Sequence, residues 1–363
     1  MDFRFSSNSS QEAGSFRLLE LPPELCKLIE SSIDETPSLS IKGHATDDAV
    51  LCTSDKTYAL RSVVLSNTVI VATPSNNEEG GIDIRDQLHE ILELVPSVPR
   101  LHRLSGLLRG LEYDEGDEDR HQMSHYSYQQ ARNEIQASEF EFSQGLKDRR
   151  ILILDGNLRP IVPAHLSTIL ELLLNYLISL GLSHQSAPVE ELASTLADEH
   201  EIPRIVTTQI LSWFGVVNEN LWSMDVNAVI TEIGLGILRH HKHEPILETE
   251  FMTKWKKMAG DSFEADVQLS LLSGNCLQNS SSTGEALGGT LIYFPSSGLP
   301  IDPAARFMEL FLTRQRWKNE EIEPFLSDIA INSKERDKLL LKYARALTSP
   351  EGVWYTARVN LNN

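Results

Sequence analysis

The amino-acid sequence predicts an α+β protein: a strand-rich antiparallel part at the N-terminus, then a series of helical units that each close on short strands. Two observations carry this. Residues 16–73 hold five short aliphatic or β-branched runs separated by turn residues, and from Ser127 onward a theme of helices followed by a short apolar strand recurs three times. With 363 residues of which 41% are hydrophobic, the chain can build two to four compact units.

The N-terminal runs are "FRLLEL", "LSIKG", "AVLCTS", "TYALRSV" and "TVIVAT", with "PPELCKLIES" forming a short helix after Pro22 and Pro23. Tyr58–Val64 and Val69–Ala72 flank Ser66 and Asn67, which predicts a β-hairpin within 55–75. A hairpin needs further strands, so this part is a small sheet or part of a barrel with edges to fill. Residues 1–15 are polar and read as disordered. Leu88, Ile91, Leu92 and Val95 fit a helical stripe, as do Leu101, Leu104, Leu107, Leu108 and Leu111, so the unit 16–111 is expected to end in a helical tail. The acidic run from Glu112 to Asp119 makes 112–125 a solvated linker.

The three recurrences span 126–225, 226–300 and 301–363. In the first, "SYQQARNEIQASEFEFSQGLKDRR" and "ILILDGNLRPIV" precede an apolar helix over Ala164–Leu180. Helices opened by Pro188 and Pro203 follow, and then the strand "LWSMD". In the second, helices are expected over Val226–His243, Leu247–Met258 and Phe263–Cys276, followed by the strand in "GGTLIYFPSSGLP". In the third, "DPAARFMELFLTRQRW", "KNEEIEPFLSDI" and "SKERDKLLLKYARAL" are helical, with Asn319 as a cap, and "GVWYTARV" is a strand. Three helices and a terminal strand or hairpin is the winged-helix pattern, so the fold expected after the N-terminal sheet is three tandem winged-helix units.

Several classes of chemistry lack their signatures. There is no G-x-x-x-x-G-K-[ST] and no G-x-G-x-x-G, and His89-Glu90 and His200-Glu201 lack the second histidine of a zinc-protease helix. Cys26, Cys52 and Cys276 form no C-x-x-C pair, and their plain reading is buried or idle thiols. "HHKH" at 240–243 is the one histidine cluster, and it falls at a predicted helix C-terminus, where cationic side chains suit the dipole. No catalytic residue, cofactor or metal is therefore expected. No apolar run is long enough for a membrane span or a signal peptide, and an intracellular, membrane-free protein is expected.

A net charge of −20 spread evenly would repel nucleic acid, but it is uneven. Residues 301–363 carry 10 basic and 9 acidic side chains, leaving 22 against 43 for the rest. Within the last unit Arg314, Arg316 and Lys318 surround Trp317. Lys338, Lys342 and Arg345 fall at i, i+4 and i+7 along the next predicted helix, and Arg358 lies on the wing strand. These seven are the candidate DNA contacts, weighed against a solvated basic face balanced by Glu335 and Asp337. Trp213, Phe214, Trp222, Trp255, Trp317 and Trp354 are read as core. The first winged unit is acidic, which suits protein binding better than DNA binding.

"FRLLELPPELCKLIE", "LSIKGHATDDAVLCTSDKTYALRSVVLSNTVIV", "NEIQASEFEF" and "RQRWKNEEIEPFLSDI" with "LLLKYARAL" together resemble the sister chromatid cohesion protein Dcc family. The family is an accessory subunit of the Ctf-type alternative replication factor C clamp loader. The resemblance runs in order along most of the chain, whereas the serine-rich "LQNSSSTGEALGG" is particular to this sequence. It implies that the N-terminal strands complete interlocked barrels with the small and large Ctf subunits, so that Tyr58, Leu60, Val63, Val69 and Val71 mark a partner-interface strand. It also implies a nuclear protein that contacts the catalytic subunit of DNA polymerase epsilon and binds single- or double-stranded DNA through its winged units. Such a protein would serve the sliding clamp indirectly, with ATP bound by other subunits. Two rivals remain at this point: a stand-alone winged-helix transcription regulator, and an enzyme built on "HHKH" or a hidden carboxylate pair.

Overall fold

The computed structural model describes residues 3–5, 16–31, 38–74, 81–116, 125–279, 289–350 and 352–358. Apart from a strand at Phe3–Phe5, the expectation for residues 1–15 lies outside the described residues, as do most of the acidic linker and the serine-rich segment 280–288. The protein is mixed α+β, and contacts divide it into two compact units. One is Met1–Leu104 with Gln129–Gly145, and the other is Ser105–Tyr128 with Leu146–Asn363. Residues 129–145, read from sequence as the opening of the first winged unit, thus belong with the N-terminal sheet.

The first unit is built on strands β1 (Phe3–Phe5), β2 (Leu19–Glu20), β3 (Ser40–Lys42), β4 (Val50–Cys52), β5 (Thr57–Pro74) and β6 (Ile82–Pro96). Their order is β1-β6-β5-β4-β3, with β2 also on β6, and the described strands do not close into a barrel. Two expectations are corrected here. The 55–75 hairpin is one continuous strand: Ser66 and Asn67 sit in an irregularity between Val64 and Val69, not in a turn, so the chain bulges and continues. The segment carrying Leu88, Ile91, Leu92 and Val95 is β6, not a helix, antiparallel to β5 from Tyr58↔Pro96 to Pro74↔Ile82. A 3.6-residue stripe was present, but a full backbone ladder overrides that local preference. The expected helical tail is reduced to one short helix, α2 (Arg103–Leu107). The sheet is also not purely antiparallel, because β1 and β2 run parallel to β6.

Helix α1 (Pro23–Ser31) lays Leu25 on Leu51, Tyr58 and Leu94 to make this unit's small core. The short helices α3 (Tyr128–Glu134) and α4 (Glu139–Asp148) follow. The Lys42 ammonium donates to the carbonyls of Arg132 (2.7 Å), Ile135 (3.3 Å) and Ala137 (2.7 Å), satisfying orphan acceptors where α3 ends. Burial holds the Lys42 pKa below its ordinary value. Ser138 and Glu141 form a capping box: Glu141 N–H donates to Ser138 Oγ (3.2 Å) and Ser138 N–H to Glu141 Oε2 (3.1 Å). Thr57 of β5 donates its hydroxyl to the same carboxylate at 2.6 Å.

The second unit begins with a hairpin, β7 (Ile151–Leu154) and β8 (Asn157–Pro160), turning through Asp155 (φ 49°) and Gly156 (φ 77°). The two-residue Asp-Gly turn folds "ILILDGNLRPIV" back on itself, because both positions adopt the left-handed backbone of a type I′ turn. Three repeats follow. The first has α5 (Pro163–Ser179), β9 (Ala187–Pro188), α6 (Val189–His200), α7 (Arg204–Trp213), β10 (Gly215–Asn218) and β11 (Leu221–Met224). The second has α8 (Val226–Arg239), β12 (Ile246–Leu247), α9 (Glu248–Ala259), two 3₁₀ turns, β13 (Cys276–Asn279) and β14 (Thr290–Tyr293). The third has α10 (Pro303–Thr313), β15 (Arg316–Lys318), α11 (Asn319–Ile322), α12 (Ser333–Tyr343), β16 (Ala344–Ser349) and β17 (Gly352–Ala357). In every repeat the last strand lies between the other two: β10-β11-β9, β12-β14-β13 and β15-β17-β16.

Local differences from the sequence reading have identifiable causes. The helix expected over Phe263–Cys276 is instead two 3₁₀ turns, Glu264–Asp266 and Leu269–Leu272, separated by extended Val267 and Gln268. Burial of Val267 and Leu272 in the shared core overrides the local helical preference of this segment. Asn319 is the first helical residue rather than the cap; Lys318 precedes it in extended conformation, its N–H donating to Glu321 Oε2 at 3.2 Å.

The first two repeats share one core. Leu166, Ile169 and Leu173 of α5, Val206 and Ile210 of α7, Ile230 and Ile233 of α8, and Phe251 and Trp255 of α9 belong to a single buried cluster. Gly234 is required there, since a Cβ would lie 2.7 Å from the Trp255 ring. Glu232, with 4% of its side chain exposed, pairs with Arg150 (3.3 Å) just before β7 and with Arg239 (2.7 Å) at the end of α8. The Arg150 guanidinium also lies 4.3 Å from the Phe214 ring centroid. The third repeat has its own core around Trp317, Phe307, Phe325 and Leu326, held by the fully buried Arg306, which donates to Pro300 O (2.6 Å), Phe325 O (2.8 Å) and Asp328 Oδ2 (2.9 Å).

Removing Glu232 would leave two arginines facing a buried, uncompensated gap. Glu232→Ala is expected to cost about 3–5 kcal/mol and Glu232→Gln less than half of that. A urea titration followed by the emission of Trp213, Trp222 and Trp255 measures both; equal, small losses would show that the pair contributes little.

Candidate functional site

Two surfaces stand out. On β5, one edge is filled by β6 along its length, while β4 covers the other only at Thr57–Ala59, with Leu60 N–H reaching Ala49 O at 3.3 Å. From Arg61 to Pro74 no strand lies beside that outer edge among the described residues. Val64 is 81% exposed and Ile70 50% exposed on this stretch. Of the residues expected to mark a partner strand, Tyr58 is buried in the unit's own core and presents nothing outward. Leu60 packs against that core, Val63 and Val71 are half-buried, and Val69 is exposed. Val64 and Ile70 escaped the sequence reading because the irregularity at 65–68 breaks the two-residue alternation on which a choice of face rests.

The second surface is on the third repeat, where the structure redistributes the seven candidate cations. Arg314 caps α10 and turns inward: it pairs with Glu321 (3.2 Å), lies 5.0 Å from the Trp317 ring centroid and donates to Gln278 O of the second repeat. Lys338 and Lys342 do sit one turn apart on exposed positions of α12. Arg345 does not continue that helical face. The helix ends at Tyr343, Ala344 is extended (φ −121°, ψ 160°), and Arg345 lies on β16, where the sheet ladder claims the backbone.

Arg345 is instead grouped with Arg316. Both lie directly opposite Thr356 of β17, from either side, and opposite residues in antiparallel strands share a face. Lys318 stands opposite Trp354 in the same way, and Arg358 follows two positions after Thr356. Trp317 and Tyr355, on the other face, pack into the repeat's core, so the face with Arg316, Lys318, Arg345 and Trp354 is the outer one. The Arg316 guanidinium is 5.0 Å and the Lys318 ammonium 5.4 Å from the Trp354 ring centroid. Trp354, read from sequence as core, is therefore a half-buried member of a basic sheet face, whereas Trp222, Trp255 and Trp317 are fully buried as expected. Strand alternation through "RWK" and "WYT" was the signal available for this grouping.

Among the described residues no three His, Cys, Asp or Glu side chains are arranged to hold a metal ion, and no helix is long and apolar enough to cross a membrane. In "HHKH", His241 Nδ1 lies 3.1 Å from Glu244 O, a local turn contact. Burial pushes the Cys276 thiol up to about 11, and its Sγ lies 3.7 Å from Leu272 O.

A mixed sheet joined in one chain to three helix-and-sheet repeats of common strand order defines a modular α+β class of protein. The chain belongs to the Dcc1 family: the family model described as sister chromatid cohesion protein Dcc1 matches residues 16–326. It is 26% identical over 363 residues to the probable sister chromatid cohesion protein DCC1 of Dictyostelium discoideum, covering 93% of this chain and 92% of that one. It is 25% identical to the Homo sapiens sister chromatid cohesion protein DCC1, over 93% of this chain and 87% of that one. The corresponding figures for the Saccharomyces cerevisiae protein are 23% identity, 91% and 93%.

A thiol held at about 11 stays protonated near neutral pH, and the thiolate is the reactive form. Iodoacetamide at pH near 8 is expected to leave Cys276 unlabelled in the native chain and to label it in guanidinium, as peptide mass spectrometry would read. Rapid native labelling would show that the thiol is not shielded.

Proposed function

We propose that this protein is a non-catalytic scaffold subunit acting in sister chromatid cohesion and DNA replication in the nucleus, within the Ctf-type alternative clamp loader. The observation that carries the reading is the outer edge of β5 from Arg61 to Pro74, beside which no strand lies among the described residues, in a chain of the Dcc1 family. Backbone donors and acceptors along such an edge are satisfied by an added strand, and a partner chain supplies one by β-augmentation. In this reading the small and large Ctf subunits fill the edge and complete the barrel-like domain.

The strand order common to the three repeats supports reading each as a winged-helix unit: helix, strand, two further helical segments, and a two-stranded wing whose last strand inserts between the other two. The hairpin β7–β8 and helices α3 and α4 precede the first such unit, which then starts at Pro163. The third unit binds DNA through the cations of its outer sheet face and of α12, and the acidic first unit with its exposed Val216 and Leu221 faces the catalytic subunit of polymerase epsilon. Two modest attachments in one chain raise local concentration, so the loader is held at forks by avidity while its ATP-binding subunits act on the sliding clamp.

Hydrogen exchange tests the edge. Alternate amides from Arg61 to Pro74 are expected to exchange quickly in the isolated chain and to slow on addition of the two Ctf subunits. The double variant Val64→Asp, Ile70→Asp is expected to weaken that assembly at least tenfold, since each loses about 1.5–3 kcal/mol of apolar burial at the interface. Full protection of the isolated chain would overturn the reading.

The grouping of cations makes a separate prediction. Charge-neutral variants Arg316→Gln, Arg345→Gln, Lys338→Gln and Lys342→Gln are each expected to lower the salt slope of binding by about one on single-stranded or on duplex DNA, and Arg314→Gln to leave it unchanged on both. Binding isotherms across a salt series decide this, and an Arg314→Gln effect equal to the others would refute the inward assignment.

A further inference from the structure

The outer sheet face of the third repeat has a composition unlike that of a duplex-reading surface. Elsewhere in this repeat arginines are neutralised by carboxylates: Arg306 by Asp328, Arg314 by Glu321, and Arg336 by Glu323. On the outer sheet face Arg316 and Lys318 have an aromatic partner instead, and no carboxylate pairs with Arg316, Lys318 or Arg345 among the described residues. The indole is fixed in place, since Trp354 Nε1 donates to Ser349 Oγ at 3.1 Å. A positioned ring flanked by three cations in extended, side-by-side strands is complementary to a chain that carries both phosphates and exposed base faces.

Duplex DNA does not fit that description. Its bases are stacked on one another, and its major groove admits a helix or a two-stranded ribbon rather than the face of a three-stranded sheet. Unpaired bases do present a π-face, and aromatic platforms bordered by basic side chains bind them with little regard to sequence. The exposed side of α12 offers less: the ring nearest its cations, Tyr343 at 4.8 Å from the Lys342 ammonium, is stacked on Phe307 of the core, and Lys338 and Lys342 are interleaved with Asp337 and with Leu341, which is 68% exposed.

We propose that this sheet face is a stacking surface for single-stranded DNA, with Trp354 as the platform for a base and Arg316, Lys318 and Arg345 contacting the phosphates beside it. The proposal rests on the reading of the third repeat as DNA-binding and specifies which form of DNA it takes. Lys338 and Lys342 on α12 then serve duplex DNA, so the two forms are separable by mutation.

The test uses the full chain and two fluorescein-labelled probes, an oligothymidine of about twenty nucleotides and a mixed-sequence duplex of about that length. Trp354→Ala is expected to weaken oligothymidine binding about tenfold while changing duplex binding less than about twofold, and Trp354→Phe is expected to restore most of the loss. Ultraviolet crosslinking of the oligothymidine to the unmodified chain is expected to fall on the tryptic segment 346–358, a readout that does not depend on any variant folding. Equal losses on both probes, or no loss together with a crosslink elsewhere, would overturn the stacking role. Duplex binding without oligothymidine binding by the unmodified chain would overturn it while leaving the DNA-binding reading intact; binding of neither probe would overturn both.

Discussion

A strand has two edges, and every buried N–H and C=O along them needs a partner. That constraint shapes the N-terminal unit. Strand β5 is eighteen residues long, longer than the five or six common in globular proteins; β6 lines one edge on both sides of the irregularity at 65–68, and among the described residues the other edge is paired only at Thr57–Ala59. Natural sheets blunt such edges with bulges, charges or proline, and β5 carries an irregularity at 65–68, Arg61 and a terminal Pro74. Yet Val64 and Ile70 stay exposed along the same stretch. A strand protected against indiscriminate pairing but still apolar suits specific pairing. The ties from Lys42 to the carbonyls at and just after the end of α3, and from Thr57 to the Ser138–Glu141 capping box, fasten this side of the sheet to the unit's own helices, while among the described residues no strand lies beside β5 from Arg61 onward.

The second unit solves a different problem. Repeats strung on linkers would move independently, but the first two here share one apolar core, and a buried carboxylate on α8 holds the arginine at the entrance to the preceding hairpin. A buried ion pair is a weak source of net stability and a good source of registration, because losing either partner is costly while the paired state has one geometry. The first two repeats therefore behave as one body. The third has a separate core and joins the second through contacts such as Arg314 to the Gln278 carbonyl. Arg314 is accordingly a structural cation, and reading it as a phosphate contact overlooked what its position at the end of α10 obliges it to do.

Much of this was legible in the sequence, and the failures share a cause. Helices with long apolar stripes and proline starts, such as Pro163–Ser179 and Arg204–Trp213, lie where their periodicity puts them. The segment Ile82–Pro96 does not, because its spacing satisfies a helix while its fate is decided by pairing with the preceding strand β5. Ser66 and Asn67 favour a turn locally, and the same long-range ladder reduces that preference to a bulge. At the surface, the residue types of the basic patch were visible but its grouping was not. Counting Arg345 along a helix that ends at Tyr343 assigned it to the wrong face, and its register on β16, opposite Thr356 as Arg316 is, places it on the sheet.

The grouping has a mechanistic consequence that a list of basic residues lacks. Cations on a helix and cations on a sheet face can both attract phosphate, but the ring beside Lys342, Tyr343, is stacked on the core residue Phe307, whereas Trp354 lies on the outer sheet face among its cations. Electrostatics alone binds any nucleic acid and weakens steeply with salt, whereas stacking is indifferent to salt and demands unpaired bases. A chain with a net charge of −20 gains little from long-range attraction, so contact that depends on a local ring and a few nearby cations is the form of recognition its charge distribution favours. Asp328, Glu321 and Glu323 are taken up by Arg306, Arg314 and Arg336, and among the described residues none of them pairs with the cations of the outer sheet face.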